Sequence, residues 1–140
     1  MRKAYSGDPA SFTQAVKAVR ILVAEDSALN FELVRDLLEG AGYEVAWAQD
    51  GEVALEMALD GGYQLLLLDL HMPRRDGISV MQELRRRASH MPVAAVTADV
   101  MPGVKEELES AGVDAFLTKP LDLGLLMMTV RRLVPAPEPA

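Results

Sequence analysis

The chain has 140 residues, of which half are hydrophobic and a quarter are charged. This is room for one globular domain with a core of ordinary size, and a second domain is not expected. The 14 basic and 21 acidic side chains give a formal charge of -7, which argues against nucleic acid or anionic lipid as a partner. The absence of cysteine excludes disulfides and thiolate metal sites and is consistent with a reducing compartment, so we expect a cytoplasmic protein.

The two ends of the chain differ from its middle. Residues 1–18 are polar and weakly patterned, and we interpret them as a leader or linker. Residues 135–140 contain three prolines, which predict an extended tail because proline removes a backbone donor and fixes φ. One domain is therefore expected over residues 19–134. Its longest apolar run, Leu65–Leu68, is far too short to span a bilayer, and we expect no membrane contact.

Short apolar runs recur along this domain with the character of β-strands. Three of them follow a glycine that could end a preceding helix, at Gly42, at Gly61 and Gly62, and at Gly112. The first, third and fourth runs are almost continuously apolar, which is typical of strands covered on both faces. The predicted strands are Arg20–Ala24, Tyr43–Trp47, Tyr63–Leu68, Pro92–Val96 and Val113–Leu117.

The segments between the strands have helical periodicity. One apolar stripe contains Leu29, Leu33, Val34, Leu37, Leu38 and Ala41, and a second contains Leu123, Leu126, Met127, Val130 and Leu133. Both stripes are predicted to face the core, with the Met127–Met128 pair interpreted as packing residues. Five strands alternating with five helices predict a doubly wound α/β domain, whose ligands lie beyond the carboxyl ends of the strands.

Acidic residues collect at that edge of the predicted sheet. Glu25 and Asp26 follow the first strand, and Asp69 follows the third. Three converging carboxylates repel one another unless a cation lies between them, and oxygen ligands favour Mg²⁺. Capping of a helix by Asp26 or Ser27 is the alternative explanation for the first pair.

Thr97 and Lys119 reach the same edge, after the fourth and fifth strands. Lysine beside carboxylates could form a plain salt bridge. However, Mg²⁺, a carboxylate, a hydroxyl and an ammonium group together are what phosphoryl transfer to an aspartate requires. Asp69 is central among these groups and is the predicted acceptor.

Four segments carry a resemblance to a known family: Ile21–Asn30, Leu68–Gly77, Val96–Ala98 and Phe116–Pro120. In this order they resemble the receiver domain of two-component response regulators, and the resemblance covers about residues 19–134. It implies a flavodoxin-like (βα)5 fold with a parallel sheet in the order 2-1-3-4-5. It also implies that Asp69 is the phosphoacceptor, that Thr97 and Lys119 bind the phosphoryl group, and that Glu25, Asp26, Asp69 and the backbone carbonyl of His71 hold Mg²⁺, for which Mn²⁺ may substitute.

The resemblance further implies how such a domain works. Asp69 would take a phosphoryl group from a phosphohistidine on a histidine kinase or phosphotransfer protein, so that the chain catalyses its own phosphorylation and slow dephosphorylation without being a conventional enzyme. Thr97 and Phe116 would form a switch that alters the face built from the fourth helix, the fifth strand and the fifth helix. The bond before Pro120 would be cis. The side chains at His71 and Asp99 would flank the phosphoryl group and tune its lifetime, with the His71 imidazole at the rim of the site.

Two other functions are considered. A small Mg²⁺-dependent phosphatase of the haloacid dehalogenase type also uses an aspartate nucleophile, but it usually has a second acid where His71 stands, and 140 residues leave little room for its cap. A degenerate receiver is disfavoured because no acceptor-site residue is missing. The chain is expected to be a stand-alone receiver or part of a hybrid histidine kinase, and segments 25–30 and 96–101 favour the latter.

Two further expectations concern individual residues. Asn30 is predicted to lie one turn into the first helix, near the acidic pocket. Arg85, Arg86 and Arg87 are interpreted as a solvated face at the end of the third helix rather than as a nucleic-acid patch.

Overall fold

The apolar runs of the sequence form one parallel β-sheet. The computed structural model describes residues 18–87, 89–98 and 101–137, and within them strands and helices alternate from beginning to end. The strands are β1 (Arg20–Ala24), β2 (Glu44–Ala48), β3 (Leu65–Asp69), β4 (Val93–Thr97) and β5 (Ala115–Thr118). The helices are α1 (Ala28–Gly40), α2 (Gly51–Asp60), α3 (Gly77–Arg86), α4 (Val104–Ala111) and α5 (Leu123–Leu133).

The sheet has the order β2-β1-β3-β4-β5 with every neighbouring pair parallel, which confirms the predicted fold. The inner strands β3 and β4 are buried along their whole length. On one face of the sheet α1 and α5 cover a core cluster, and on the other α2, α3 and α4 cover a second. The polar residues that follow the strands therefore share one edge.

Helix starts agree with the chemistry of capping. Ser27, Asp50, Asp76 and Asp122 each precede a helix, and each side chain accepts a hydrogen bond from the backbone N–H three residues later. Ser27 is thus the cap of α1, which leaves the carboxylate of its neighbour Asp26 for another role. Gly42 and Gly112, which follow α1 and α4, have φ values of 98° and 100°, as predicted for glycines that end helices.

The apolar stripe predicted for α1 is wrong in part. Leu29 and Leu33 are 68% and 52% exposed, whereas Phe31, Val34 and Leu38 are buried. The helix is rotated so that the Phe31 ring stacks on Trp47 of β2, with ring centroids 4.6 Å apart and planes within 4° of parallel.

The stripe predicted for α5 is closer to the structure. Leu126, Met127 and Val130 are buried, but Leu123 is 40% exposed. Of the methionine pair, Met127 packs in the core and Met128 is exposed, so the packing interpretation holds for the first residue only.

The expectation for the arginine run is also corrected. Arg86 and Arg87 are exposed and pair with Glu83, but Arg85 is not a solvated side chain. Its guanidinium donates to the carbonyls of Ser89, Met91 and Gly112 and to the carboxylate of Asp114. The planar fork of arginine suits several acceptors at once, so Arg85 fastens the end of α3 to the loops beside β4 and β5.

The proposed terminal segments are described only in part. Residues 135–137 are neither helix nor strand, while residues 1–17 and 138–140 lie outside the described part of the chain. Among the helices that the structure describes, none has the length and apolar character needed to cross a membrane.

Candidate functional site

The carboxyl edge of the sheet brings three acidic side chains together. Glu25 and Asp26 follow β1, and Asp69 is the last residue of the neighbouring strand β3. One carboxylate oxygen from each of the three lies within 4.8 Å of the others. Glu25 and Asp69 are buried and Asp26 is exposed, so the cluster opens to solvent on one side.

Lys119 supplies a positive charge to this cluster. Its Nζ lies 2.8 Å from Oδ2 of Asp69 and 3.9 Å from Oε1 of Glu25. Its backbone N–H donates to the carbonyl of Thr97, which ties the residue to the end of β4. The bond from Lys119 to Pro120 is cis, the form that the family resemblance implied.

The electrostatics of the site follow from burial and charge. Burial raises the pKa of Glu25 above its ordinary value, and the charges of Asp69 and Asp26 act in the same direction. A backbone hydrogen bond from Ser27 and the charge of Lys119 oppose this rise. Burial of Lys119 would lower its pKa, but its hydrogen bond and charge interaction with Asp69, with smaller contributions from Glu25 and Asp26, raise it overall. Lys119 is therefore a fixed cation.

The donor set fits a hard divalent cation. Among the residues that the structure describes, three carboxylates face the ammonium group of Lys119, so the cluster carries excess negative charge that a divalent ion would offset. All three side chains offer oxygen, which favours Mg²⁺ or Ca²⁺ over softer metals. The exposed side at Asp26 leaves space for water ligands, which Mg²⁺ retains in protein sites.

His71, which follows β3, and Thr97, the last residue of β4, make a contact that the sequence did not predict. The backbone N–H of His71 donates to Oδ1 of Asp69, at 3.0 Å. The imidazole of the same residue reaches across to β4, where its Nε2 lies 3.1 Å from Oγ1 of Thr97. Thr97 is fully buried, whereas His71 is exposed. Asp99 lies outside the described residues.

Tight backbone packing positions the loop between β3 and α3. A Cβ atom on Gly51 would lie 1.8 Å from the carbonyl oxygen of Arg75, and one on Gly77 would lie 2.8 Å from Cα of Leu70. Both glycines follow an aspartate that caps a helix, and the role of Gly51 was not predicted from the sequence. An Asp-Gly pair before an apolar periodic segment is the signal that could have indicated it.

Trp47 was likewise missed as a residue of the site. Its indole N–H donates to the backbone carbonyl of Glu25, at 2.7 Å, and the N–H of Glu25 donates to the carbonyl of Ala48. These bonds fix the backbone of the acidic segment against β2. The sequence placed Trp47 in a strand but gave no sign of this contact.

A cavity of about 320 Å³ opens beside the acidic cluster, between α1 and the segment that begins α5. Asn30 lines it, as do Glu25 and Lys119, so Asn30 lies where the sequence analysis predicted. The remaining wall is apolar and includes the exposed Leu33 and Leu123.

Phe116, the predicted partner of Thr97 in a switch, lies in β5. It is half-buried and packs against the core cluster under α2, α3 and α4. It also lines a shallow cavity with Lys105 and Glu109 of α4.

Comparison with known proteins identifies the family. A sequence model described as the response regulator receiver domain matches residues 21–131. The chain belongs to the response regulator receiver family. The polar-differentiation response regulator DivK of Brucella ovis is 34% identical over 113 residues, which cover 79% of this chain and 92% of that relative.

Solved receiver structures agree with this assignment. The receiver domain of the sensor histidine kinase PA1611 from Pseudomonas aeruginosa, solved with a magnesium ion in its active site cleft, has a TM-score of 0.74 and 30% identity and covers 84% of this chain and 98% of that one. The receiver domain of Saccharomyces cerevisiae Ssk1, solved with the histidine phosphotransfer protein Ypd1, has a TM-score of 0.79 over 84% of this chain and 90% of that one, and at 22% identity it shows the fold. The present chain is therefore a phosphoacceptor signalling domain. These comparisons do not support the alternative of a haloacid dehalogenase-type phosphatase.

Proposed function

We propose that Asp69 of this receiver accepts a phosphoryl group from a phosphohistidine on a histidine kinase or histidine phosphotransfer protein. The observation that carries the assignment is the position of its carboxylate, with Lys119 2.8 Å from Oδ2 and the His71 N–H 3.0 Å from Oδ1. In the transfer, a bond forms between a carboxylate oxygen of Asp69 and phosphorus while the bond from phosphorus to the donor imidazole breaks. The released imidazole keeps the electron pair and takes a proton from solvent.

The chain's own groups favour that step by position and charge. Lys119 remains protonated because its pKa is raised, so its ammonium group can neutralise an oxygen of the transferred group. Thr97 would donate a hydrogen bond to a second oxygen. Glu25, Asp26, Asp69 and the carbonyl of His71 would hold Mg²⁺, or Mn²⁺ in its place, and the bound ion supplies positive charge for the phosphoryl oxygens.

Phosphorylation with a small donor tests the acceptor assignment. The protein is incubated with acetyl phosphate and Mg²⁺, and its intact mass is measured. We expect one phosphoryl adduct on the wild type and on Asp60→Asn, an exposed control at the end of α2, and none on Asp69→Asn. Borohydride reduction then converts a phosphorylated aspartate into homoserine, which peptide mass spectrometry places at position 69. An adduct that persists in Asp69→Asn, or none on the wild type, contradicts the proposal.

Phosphorylation would be read by the face made of α4, β5 and α5. Thr97 would turn toward the phosphoryl group and the ring of Phe116 would follow, a change of packing since phenylalanine has no hydroxyl to bond. Phe116 is half-buried, so an inward movement of its ring would bury further apolar surface. Amide NMR shifts on adding beryllofluoride, a phosphoryl mimic, should concentrate in β5 and in the neighbouring ends of α4 and α5. Shifts confined to the acidic edge would contradict this switch.

The donor protein is proposed to dock over α1. Leu29 and Leu33 present an exposed apolar surface beside the cavity that Asn30, Lys119 and Leu123 line, next to the acceptor. A histidine that delivers a phosphoryl group to Asp69 must approach this edge, so an apolar helix face on its carrier would meet these leucines. Kinases draw on ATP, which is why we place the reaction in the cytoplasm.

A comparison of donors tests the docking surface. We expect Leu33→Ala to slow transfer from a phosphorylated histidine phosphotransfer domain while phosphorylation by acetyl phosphate stays unchanged, because the small donor needs no docking. Leu59→Ala, an exposed leucine on α2 across the sheet, is the control and should affect neither. Equal effects of Leu33→Ala on both donors would contradict docking at α1.

A further inference from the structure

His71 connects the acceptor aspartate to Thr97 through two different groups. Its backbone N–H holds Oδ1 of Asp69, and its ring Nε2 lies within hydrogen-bond distance of Oγ1 of Thr97. The ring and the threonine line a cavity of about 390 Å³ between α3 and α4, together with Val104 and Glu107. The hydroxyl of Thr97 is thus directed along the surface of the sheet to a neighbour on the β3–α3 loop.

This contact bears on the transfer proposed above. To bond a phosphoryl oxygen on Asp69, Thr97 would have to turn its side chain, and this turn would move its Oγ1 away from the ring. That motion breaks the bond to His71 whichever of the two atoms donates the proton. The imidazole and the phosphoryl group therefore compete for one hydroxyl, so the bond stabilises the unphosphorylated arrangement.

We propose that His71 is a positioning residue whose imidazole holds Thr97 in the orientation of the unphosphorylated state and so weakens the hold of the site on a phosphoryl group. This inference rests on the proposed function and adds a restraint to it. The effect acts through Thr97 and not through contact of the ring with phosphate. The size expected is that of one hydrogen bond, which corresponds to about a 2- to 10-fold change in affinity.

Beryllofluoride affinity measures the restraint. Its binding in saturating Mg²⁺ is followed by calorimetry for the wild type, His71→Ala and His71→Gln. We expect His71→Ala to bind about 2- to 10-fold more tightly, because Thr97 no longer gives up its contact with the imidazole when it turns. His71→Gln should stay close to the wild type, since the glutamine amide lies as many bonds from the backbone as Nε2 and can bond the same hydroxyl. Mg²⁺ affinity and the unfolding midpoint serve as checks that the site and fold are intact.

The same pair of variants in two threonine backgrounds separates a restraint on Thr97 from a direct effect of the ring. In Thr97→Ser, which keeps the hydroxyl, His71→Ala should again tighten binding. In Thr97→Val, which removes the hydroxyl, His71→Ala should have no effect on the weaker affinity that remains. The ¹⁵N shift of His71 Nε2 should change on adding beryllofluoride to the wild type and should stay constant in Thr97→Val.

Several results would overturn the inference. Unchanged or weaker binding by His71→Ala would show that the ring does not restrain Thr97. An equal effect of His71→Ala in Thr97→Val would show that the ring acts on the phosphoryl mimic itself. Either result leaves the acceptor role of Asp69 standing if the wild type still forms its adduct. A wild type that neither binds beryllofluoride nor forms an adduct at Asp69 would reject both proposals.

Discussion

The charge of the acidic cluster predicts that Asp26→Asn stabilises the metal-free protein. Two like charges 4.8 Å apart repel by about 1 kcal/mol in water and by about 3 kcal/mol at the effective dielectric of a protein surface. Asp26 faces Glu25 and Asp69 at no more than this separation, but it is exposed and Lys119 offsets part of the repulsion. We therefore expect a gain near the lower end, about 1 kcal/mol in the free energy of unfolding.

With Mg²⁺ bound, the wild type should become more stable than Asp26→Asn. A ligand that binds only the folded state adds about 2.7 kcal/mol to the free energy of unfolding when its concentration is 100 times its dissociation constant. For a domain of this size that corresponds to roughly 10 °C in the unfolding midpoint. The wild type should show this shift, and Asp26→Asn should show much less of it at the same concentration because one carboxylate ligand is lost.

Thermal unfolding followed by circular dichroism, with EDTA and then with Mg²⁺, measures both effects. Glu56→Gln removes one negative charge from an exposed position on α2 and is the matched control. It should match the wild type in both conditions. The reasoning is refuted if Asp26→Asn is less stable than the wild type without metal, if it keeps the full Mg²⁺ response, or if the wild type has no response.

Three further predictions concern the packing of glycines, the pH dependence of stability and the hydrogen bonds of Arg85 at the end of α3. Gly51→Ala should destabilise the domain by about 2 kcal/mol or more in urea unfolding because its Cβ would overlap the carbonyl of Arg75. Gly40→Ala should instead stabilise it by about 0.5 kcal/mol, because outside its chain neighbours and its own helix backbone no described atom lies within 4 Å of the new Cβ. The pKa of Glu25 is raised in the folded state, so the folded protein favours the protonated carboxyl. The stabilisation that this carboxyl gives is therefore fully present below its unfolded pKa near 4.5, and it is lost as pH rises through the folded value. In EDTA the stability of Glu25→Gln relative to the wild type should thus be greater at pH 7 than at pH 4, and a constant difference would contradict this. Arg85→Met should lower the free energy of unfolding by about 2 kcal/mol because its contacts with backbone carbonyls are lost. An unchanged free energy of unfolding would instead support the original interpretation of Arg85 as a solvated side chain.

Helix α1 shows why periodicity alone placed the wrong leucines in the core. Two apolar stripes overlap on it, one through Leu29 and Leu33 and one through Phe31 and Val34, and both have helical spacing. The rotation of the helix selects between them, and it follows from the stacking of Phe31 on Trp47. That partner lies on β2, sixteen positions along the chain, so no local pattern could reveal it.

The sequence by itself determined the alternation of strands and helices along the chain and the types of residue that follow the strands. Parallel strands place their carboxyl ends at one edge, so Glu25, Asp26, Asp69 and Lys119 were predicted to share that edge. Their residue types then indicated a cation and a phosphoryl group. These conclusions need only hydrophobic periodicity and the residues at the strand ends, which are local features of the sequence, whereas the strand order was implied by the family resemblance.

Only the tertiary structure decided how the side chains at that edge are oriented. His71, whose imidazole was predicted at the rim, is exposed, and its ring also contacts Thr97 because β3 and β4 are neighbours and the loop after Asp69 turns the ring toward β4. Arg85, expected in solvent, bonds the carbonyl of Ser89 in the loop that follows α3 and also that of Gly112, 27 positions along the chain. A side-chain contact across strands or loops depends on backbone distances and rotamers that are set by packing, and no residue pattern encodes them.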